Sequence, residues 1–301
     1  MDNHFQIVII GGGTGGIMSA ASLLSKDSSL KIAIIEPAEF HYYQAAWTLV
    51  GANTFDFEKS RKKMADVMPK GVTWIKDFAT GFNSPKNSIS TKLSGDIFYD
   101  FLIVSPGLVM DTSQIEGLTE ALGKGVVCSN YTNPKHTWEV LKNFKGGNAV
   151  FTQPTTPIKC GGAPQKIAYL AADYFRKTGI QSKTNVVLAM PGSVIFGVEV
   201  IKDTLMDVIN RYGIKFKPSY APVKIDGDKK IITFKVNVAD PSLFSADTKI
   251  GENYLGDSLV EVPFDMLHIA PPQVAPEFVR NSDLVNEAGW LDVDIHTLQN
   301  K

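Results

Sequence analysis

The segment Gln6-Ile7-Val8-Ile9-Ile10-Gly11-Gly12-Gly13-Thr14-Gly15-Gly16 joins an apolar strand to a glycine-rich turn. A helix is predicted over residues 17–24, and a second apolar strand over residues 31–35 ends in Glu36. The turn has the spacing G-x-G-x-x-G, and the acid follows the last glycine by 20 residues. Together these features predict an α/β fold that binds a dinucleotide.

Each part of this segment has a physical role. Gly11 permits the tight turn, Gly13 lets the backbone approach a pyrophosphate, and Gly16 allows close packing of helix and strand. The helix N-terminus attracts phosphates, and Glu36 can accept hydrogen bonds from a ribose hydroxyl. The predicted cofactor-binding residues of this segment are Gly11, Gly13, Thr14, Gly15, Gly16 and Glu36.

Two later segments favour FAD over NAD as the cofactor. An apolar strand over residues 97–105 ends in Ser105-Pro106-Gly107, which resembles the second flavin-side motif of the two-dinucleotide-binding flavoproteins. We therefore add Ser105 and Gly107 to the cofactor-binding residues. A second buried strand over residues 185–190 leads into residues 191–197, which lack the G-x-G-x-x-G spacing. The second domain is predicted to be doubly wound but without a standard NAD motif.

Length and composition fit two domains. A chain of 301 residues suits about two domains, and its net charge of −1 gives no indication of a nucleic-acid partner. Two cysteines do not make a disulfide scaffold, and no zinc-type spacing is present, so no metal site is predicted. Neither a signal peptide nor an apolar run of about 18 residues is visible. The predicted domains are residues 1–146 (FAD-binding, first part), 147–263 (second Rossmann-like domain) and 264–301 (return to the first).

The segment Pro157-Ile158-Lys159-Cys160-Gly161-Gly162-Ala163-Pro164-Gln165-Lys166 places a cysteine three residues before a predicted helix. Pro164 suits the first helical turn, where its missing N–H costs nothing. We expect a thiol near the positive end of a helix, flanked by two lysines, to ionise more readily than a free cysteine. The alternative is a small buried apolar residue, and the segment alone leaves both interpretations open.

Several segments along the chain carry a family resemblance. They resemble the sulfide:quinone oxidoreductases, a branch of the FAD-dependent pyridine nucleotide-disulfide oxidoreductases. The segments are residues 41–44 with 47–51, Cys128-Ser129-Asn130-Tyr131, the Cys160 segment, residues 195–198, and residues 266–268 with 271–272.

The resemblance implies a redox mechanism. Sulfide attacks a cysteine disulfide or sulfur-bridged pair, which gives a persulfide and a freed thiolate. Electrons pass through FAD to quinone, and the sulfane sulfur leaves to an acceptor thiol. Cys160 corresponds to one redox cysteine, and Gln44 lies in a segment that is expected to bind the cofactor. Cys128 is a second catalytic candidate near the flavin, and its alternative is a small buried residue.

The resemblance also bears on location and on the end of the chain. The family's last flavin-binding strand, second redox cysteine, quinone site and membrane-facing helices follow a segment that resembles residues 288–298. We therefore expect the first domain to be incomplete, and the chain on its own to retain FAD weakly and not to turn over. Peripheral contact with the cytoplasmic face of a bacterial inner membrane is expected, or with the mitochondrial inner membrane in a eukaryote.

Two alternative functions stay open from the sequence. One is an NADH-dependent flavoprotein that reduces quinone, against which the missing second glycine motif argues. The other is an inactive FAD-binding fragment that lacks the second redox cysteine and the quinone site.

Overall fold

The computed structural model describes residues 3–237 and 244–301, and the chain forms two compact units. The first unit comprises Met1–Tyr43, Lys59–Val109 and Val274–Lys301, and the second comprises Gln44–Glu58 and Met110–Gln273. The predicted domain boundaries after residues 146 and 263 do not coincide with these units. The reason is that strands on either side of both boundaries pair within one sheet of the second unit.

The first unit is built on a six-stranded sheet. Its strands are β1 (His4–Ile10), β2 (Ile32–Ile35), β5 (Val72–Ile75), β6 (Ala79–Asn83), β7 (Ser88–Thr91) and β8 (Asp96–Val104). The order is β5-β2-β1-β8-β7-β6, with parallel pairing from β5 to β8 and antiparallel pairing beyond it. The remaining elements are α1 (Thr14–Lys26), the paired strands β3 (Phe40–Tyr42) and β4 (Arg61–Lys63), α3 (Met64–Val67) and α8 (Glu277–Arg280).

The second unit contains two sheets. A parallel sheet of order β10-β18-β11-β12-β13 is formed by β10 (Val127–Cys128), β11 (Gly147–Thr152), β12 (Thr184–Met190), β13 (Lys215–Pro218) and β18 (Met266–His268). An antiparallel sheet of order β14-β15-β17-β16 is formed by β14 (Tyr220–Asp226), β15 (Ile231–Val236), β16 (Asn253–Gly256) and β17 (Leu259–Pro263).

The helices of the second unit complete its layers. They are α2 (Trp47–Gly51), α4 (Leu118–Ala121), α5 (Pro134–Asn143), α6 (Ala163–Lys177) and α7 (Glu199–Tyr212). The short strands β9 (Val109–Met110) and β19 (Gln273–Val274) lie where the chain passes from one unit to the other. Within the described ranges, no helix combines the length and the apolar character needed to cross a membrane.

Most of the predicted elements are present, and two predictions are wrong. The sequence predicts a short helix near residues 58–68, but β4 interrupts this segment and pairs with β3. The polar segment 241–256 is predicted to be a loop, but it ends in strand β16, which pairs with β17. Residues 241–243 of this segment lie outside the described residues. In both places a partner strand that is remote in sequence determines the local structure.

Two hydrophobic clusters support the second unit. One lies between the two sheets, where Val150 and Val187 of the parallel sheet join Ile232 and Phe234 of the antiparallel sheet. The other lies on the opposite side of the parallel sheet, beneath α5, α6 and α7. Helix α6 contributes its buried face to this second cluster, and this packing fixes the position of the helix that follows Cys160.

Phe175 tests how strongly this packing holds helix α6. Its ring is fully buried and lies 4.8 Å from the ring of Phe144, centroid to centroid. We expect Phe175→Ala to lower the free energy of unfolding by about 3–5 kcal/mol, because the truncation leaves a cavity in a packed core. The control Val200→Ala, at a side chain that is 83% exposed on α7, should change it by less than about 0.5 kcal/mol. Urea titration measures the free energy of unfolding of both variants. Equal losses in the two variants would contradict the conclusion that the packing of Phe175 holds helix α6.

Candidate active site

The glycine turn of the first unit is closed by contacts that exclude a side chain. Gly11 has φ +101°, and a Cβ added to it would lie 2.2 Å from the Ser105 carbonyl oxygen. A Cβ on Gly16 would lie 1.9 Å from the Gly11 carbonyl oxygen. The turn therefore brings β1, α1 and the end of β8 together, as the glycine spacing predicts.

The turn also leaves room for a phosphate group. Helix α1 begins after Gly13 without a side-chain cap, so no side chain competes for the amides of its first turn. A Cβ on Gly13 would meet no atom within 4 Å, so the backbone there is open to approach. Thr14 and Gly15 form this uncapped first turn together with Gly16. The turn fits the pyrophosphate of a dinucleotide.

Glu36 lies against the same turn. Its Oε2 accepts a hydrogen bond from the Gly12 N–H at 2.7 Å, and its Oε1 accepts one from the Ala38 N–H at 2.7 Å. Each carboxylate oxygen can accept a further hydrogen bond from a ribose hydroxyl. Ser105 is tied to the end of β1 by a hydrogen bond of 3.1 Å from its Oγ to the Ile10 carbonyl, and Gly107 follows with φ +81°. Their contacts to a flavin stay predictions.

Gln44 belongs to the second unit rather than to the glycine turn. Its Oε1 accepts a hydrogen bond from Lys159 Nζ, and its side chain lines a cavity beside Cys160. Burial lowers the pKa of Lys159. The structure therefore places Gln44 with the predicted redox cysteine, and its predicted contact with the cofactor stays a prediction.

Cys160 is exposed and occupies a backbone conformation that is uncommon for a residue with a side chain. Its φ is +60°, in the left-handed region, which costs about 1–2 kcal/mol for a non-glycine residue. Its carbonyl accepts a hydrogen bond from the Ala163 N–H at 2.9 Å, which closes the turn into α6. Helix α6 begins at Ala163, as predicted, and has neither a side-chain cap nor an acid in its first turn.

The loop before Cys160 is anchored by Gln273, which is fully buried. Gln273 Oε1 accepts a hydrogen bond from the Lys159 N–H at 3.0 Å, and the Gln273 N–H donates to Thr156 Oγ1 at 2.8 Å. One residue therefore holds the loop at two points. These hydrogen bonds offset the strain at Cys160.

Lys166 approaches the thiol from the first turns of α6. Its Nζ lies 3.3 Å from Cys160 Sγ. A cation near a helix N-terminus is unfavourable by roughly 0.3–1 kcal/mol, because it opposes the helix dipole. The ammonium and the N-terminal end of α6 both place positive charge near Cys160.

A cavity of about 220 Å³ opens beside Cys160 within the second unit. Its wall includes Gln44, Trp47, Asn130, Tyr131, Lys159 and Lys166. Asn130 and Tyr131 lie in one of the segments that carry the family resemblance, but sequence reasoning did not select them as site residues. Their position in the cavity wall depends on the folded chain, which a single sequence does not show.

Cys128 has the opposite environment. It is fully buried in the cluster beneath the helices, and burial raises the pKa of its thiol to about 12. Both cysteines are free, so the two are not joined in a disulfide. These properties favour the interpretation of Cys128 as a small core residue, because a thiol that stays protonated is a poor nucleophile. Among the residues that the structure describes, no cluster of His, Cys, Asp or Glu is placed to hold a metal ion.

His268 lies next to Cys128 in the parallel sheet and is fully buried. Its Nε2 accepts a hydrogen bond from the Asn130 N–H at 3.0 Å, and its ring stacks on Phe151 at 5.8 Å between centroids. Burial lowers the pKa of His268 to about 4. A neutral imidazole therefore fixes the backbone of Asn130.

The buried imidazole predicts a pH dependence of stability. The pKa of His268 is about 6.5 in the unfolded chain and about 4 in the folded chain. Between these two pH values the unfolded state therefore binds more protons than the folded state. His268 should therefore reduce the free energy of unfolding by up to about 3 kcal/mol as the pH falls from about 6.5 to 4. His268→Gln should flatten this slope in urea titrations at several pH values. An unchanged slope in the variant would contradict the prediction.

Comparison with known proteins connects this site to a family. The model of the pyridine nucleotide-disulphide oxidoreductase family matches residues 5–251. The mitochondrial sulfide:quinone oxidoreductase of Mus musculus is 37% identical over 99% of this chain and 63% of its own length. The Dictyostelium discoideum protein of the same name is 38% identical over 99% of this chain and 63% of its own length. The chain thus spans about 63% of these relatives.

A solved structure shares the fold. The sulfide:quinone oxidoreductase of Aquifex aeolicus superposes with a TM-score of 0.75 at 20% identity, over 94% of this chain and 62% of that chain. The predicted α/β fold with two Rossmann-like domains is confirmed. FAD is the cofactor of these flavoproteins, and the glycine turn with Glu36 fits its phosphate and ribose groups. The chain belongs to the pyridine nucleotide-disulphide oxidoreductase family.

Proposed function

We propose that the protein oxidises sulfide at Cys160 and passes the electrons through FAD to quinone, with this chain supplying the dinucleotide turn and one redox thiol. The observation that carries this proposal is the environment of Cys160. Its sulfur is exposed beside a cavity, stands before the N-terminus of α6, and lies 3.3 Å from Lys166 Nζ. The likeness to the mouse and Dictyostelium proteins supports sulfide and quinone as the substrates.

The reaction begins from Cys160 joined in a disulfide to a second redox thiol. Hydrosulfide attacks the sulfur of that second residue, forming a new S–S bond while the bond to Cys160 breaks. The second residue then carries a persulfide, and Cys160 leaves as a thiolate. The Lys166 ammonium stabilises this thiolate, which makes Cys160 the better leaving group.

The persulfide then loses its outer sulfur to an acceptor thiolate. The S–S bond of the persulfide breaks, the acceptor gains the sulfane sulfur, and the second residue returns to a thiolate. Bound FAD would supply the two-electron acceptor when the two thiolates reform their disulfide, and quinone would be the final acceptor. In this chain the turn from Gly11 to Gly16, Glu36 and Ser105 would hold FAD, with Gln44 and Gly107 as further predicted contacts.

The second Rossmann-like domain supports sulfide over NADH as the electron donor. The segment after β12 lacks the G-x-G-x-x-G spacing where an NAD pyrophosphate would bind. Helix α7, which follows it, carries Glu199 in its first turn. A carboxylate at this position repels phosphate groups, so the NADH-dependent alternative receives no support here.

The proposal also includes an acceptor thiol for the sulfane sulfur, quinone as the electron acceptor, and peripheral contact with a membrane. The mouse and Dictyostelium relatives are mitochondrial by name. A mitochondrial inner-membrane location is therefore the one we propose if the source is a eukaryote.

Cys160→Ser tests the proposed function directly. In the full-length, FAD-loaded enzyme that also supplies the second redox thiol, we expect sulfide-driven bleaching of the flavin absorbance to slow by about 10³-fold or more, because an alkoxide cannot replace the redox thiolate. Anaerobic stopped-flow measurement gives this rate.

Cys128→Ala is the matched control for the second cysteine. Its thiol is buried and stays protonated, so flavin reduction should persist in this variant within a few-fold of the parent. Undiminished flavin reduction in Cys160→Ser would overturn the proposed function. Loss of reduction in Cys128→Ala with FAD still bound would instead assign Cys128 a direct role.

A further inference from the structure

Gln273 is fully buried, yet only one end of its side-chain amide is paired. Its Oε1 accepts a hydrogen bond from the Lys159 N–H at 3.0 Å, whereas its Nε2 has no partner in the described part of the chain. A buried donor without a partner destabilises the folded chain. Proteins tend to keep such a cost where function requires it, so the bond to Lys159 is the feature to explain.

The bond fixes the residue that precedes Cys160. Lys159 is held at both ends, since its backbone N–H bonds to Gln273 Oε1 and its Nζ donates to Gln44 Oε1. On the other side of the cysteine, the Cys160 carbonyl accepts the Ala163 N–H at 2.9 Å. The φ torsion of Cys160 lies between these two fixed groups, so the contacts on both sides together determine its value of +60°.

This torsion determines where the sulfur lies. The value of φ sets the direction of the Cα–Cβ bond, and at +60° the Cys160 Sγ lies 3.3 Å from Lys166 Nζ. An L-residue gains energy by returning to negative φ unless its surroundings hold it. Such a return would turn the Cα–Cβ bond and carry the sulfur away from the ammonium. Gln273 therefore acts on the sulfur through the backbone of Lys159.

A second hydrogen bond ties the start of the loop to the same residue. The backbone N–H of Gln273 donates to Thr156 Oγ1 at 2.8 Å, four residues before Cys160. The two bonds together set the distance between the loop and the backbone of Gln273. A change at Thr156 therefore tests the same anchorage from its other end.

We propose that Gln273 is the positioning residue of the redox thiol. Its side-chain oxygen and its backbone N–H hold the loop so that Cys160 keeps the left-handed conformation and presents its sulfur to Lys166. The importance of this placement for turnover rests on the proposed function, in which Cys160 leaves as a thiolate beside that ammonium.

Two alkylating reagents of similar size report whether the sulfur lies beside the ammonium. With iodoacetate and with iodoacetamide, a sulfur–carbon bond forms as iodide leaves, but only iodoacetate is an anion. Both rates depend equally on the thiolate fraction, so their ratio reports the charge near the sulfur. In the reduced full chain at low ionic strength, Lys166→Gln should lower the ratio at Cys160 about fivefold, through loss of one charge pair. Mass spectrometry of the Cys160 peptide measures both rates.

Gln273→Leu replaces the amide by an apolar side chain of similar size. It should lower the ratio as far as Lys166→Gln does, because the sulfur then leaves the ammonium. The double variant should stay within about twofold of either single variant, since both changes remove the same contact. The control Asn185→Leu removes an amide that bonds to Asn148 Oδ1 and the Lys249 carbonyl, and it should keep the ratio of the parent.

A pair of variants at Thr156 tests the second anchor. Thr156→Val removes the acceptor of the Gln273 N–H and should lower the ratio about twofold, whereas Thr156→Ser retains the hydroxyl and should keep it. An unchanged ratio in Gln273→Leu, or a loss that adds to that of Lys166→Gln, would overturn the proposal. If Gln273→Leu does not fold, equal ratios in the two Thr156 variants overturn it.

This test uses neither flavin nor sulfide, so it fails separately from the test of the proposed function. A lowered ratio in Gln273→Leu together with undiminished flavin reduction in Cys160→Ser would keep the positioning role and refute redox chemistry at Cys160. An unchanged ratio in Gln273→Leu together with loss of flavin reduction in Cys160→Ser would keep the proposed function and refute the role of Gln273.

Discussion

The candidate site depends on the double anchorage of the Cys160 loop by one buried residue, through its side chain and its backbone N–H. The side-chain oxygen of Gln273 accepts a hydrogen bond from the Lys159 N–H, and its backbone N–H donates one to the Thr156 hydroxyl. The loop is therefore held at two points. These bonds, together with the one from the Ala163 N–H to the Cys160 carbonyl, hold Cys160 at φ +60°, although an L-residue gains energy by leaving the left-handed region. The anchorage sets the sulfur in front of α6, where the helix dipole and Lys166 act on it.

The two cysteines show that environment decides reactivity. Both belong to the second unit, and both are free. Cys128 lies within the core, where removal from water raises its pKa to about 12, whereas Cys160 is exposed next to a cation. The same functional group is thereby inert in one place and available in the other, and the difference comes from burial and charge.

The sequence predicts those features whose signal is local. The glycine turn, helix α1 and the start of α6 are all encoded by residues within the element itself, by glycines that permit a turn or by Pro164 at the first helical positions. The sequence does not predict the pairing of β3 with β4, because this pairing joins residues about 20 positions apart, and the segment 58–68 alone predicts a short helix. Asn130 and Tyr131 were passed over for a related reason. What marks them is the absence of a partner, and that is a property of the folded chain.

The site departs from local stability rules at four neighbouring places. A non-glycine residue adopts positive φ, a lysine opposes a helix dipole, an asparagine amide is buried without a partner, and a tyrosine hydroxyl is likewise unpaired. Each departure costs about 0.3–3 kcal/mol, and each would be removed by a simple substitution. Natural chains tend to keep such costs where function requires them. The helix dipole and the Lys166 ammonium act in the same electrostatic direction, since both place positive charge near the Cys160 sulfur. That common direction is the physical reason for regarding this corner of the second unit as the candidate site of thiol chemistry.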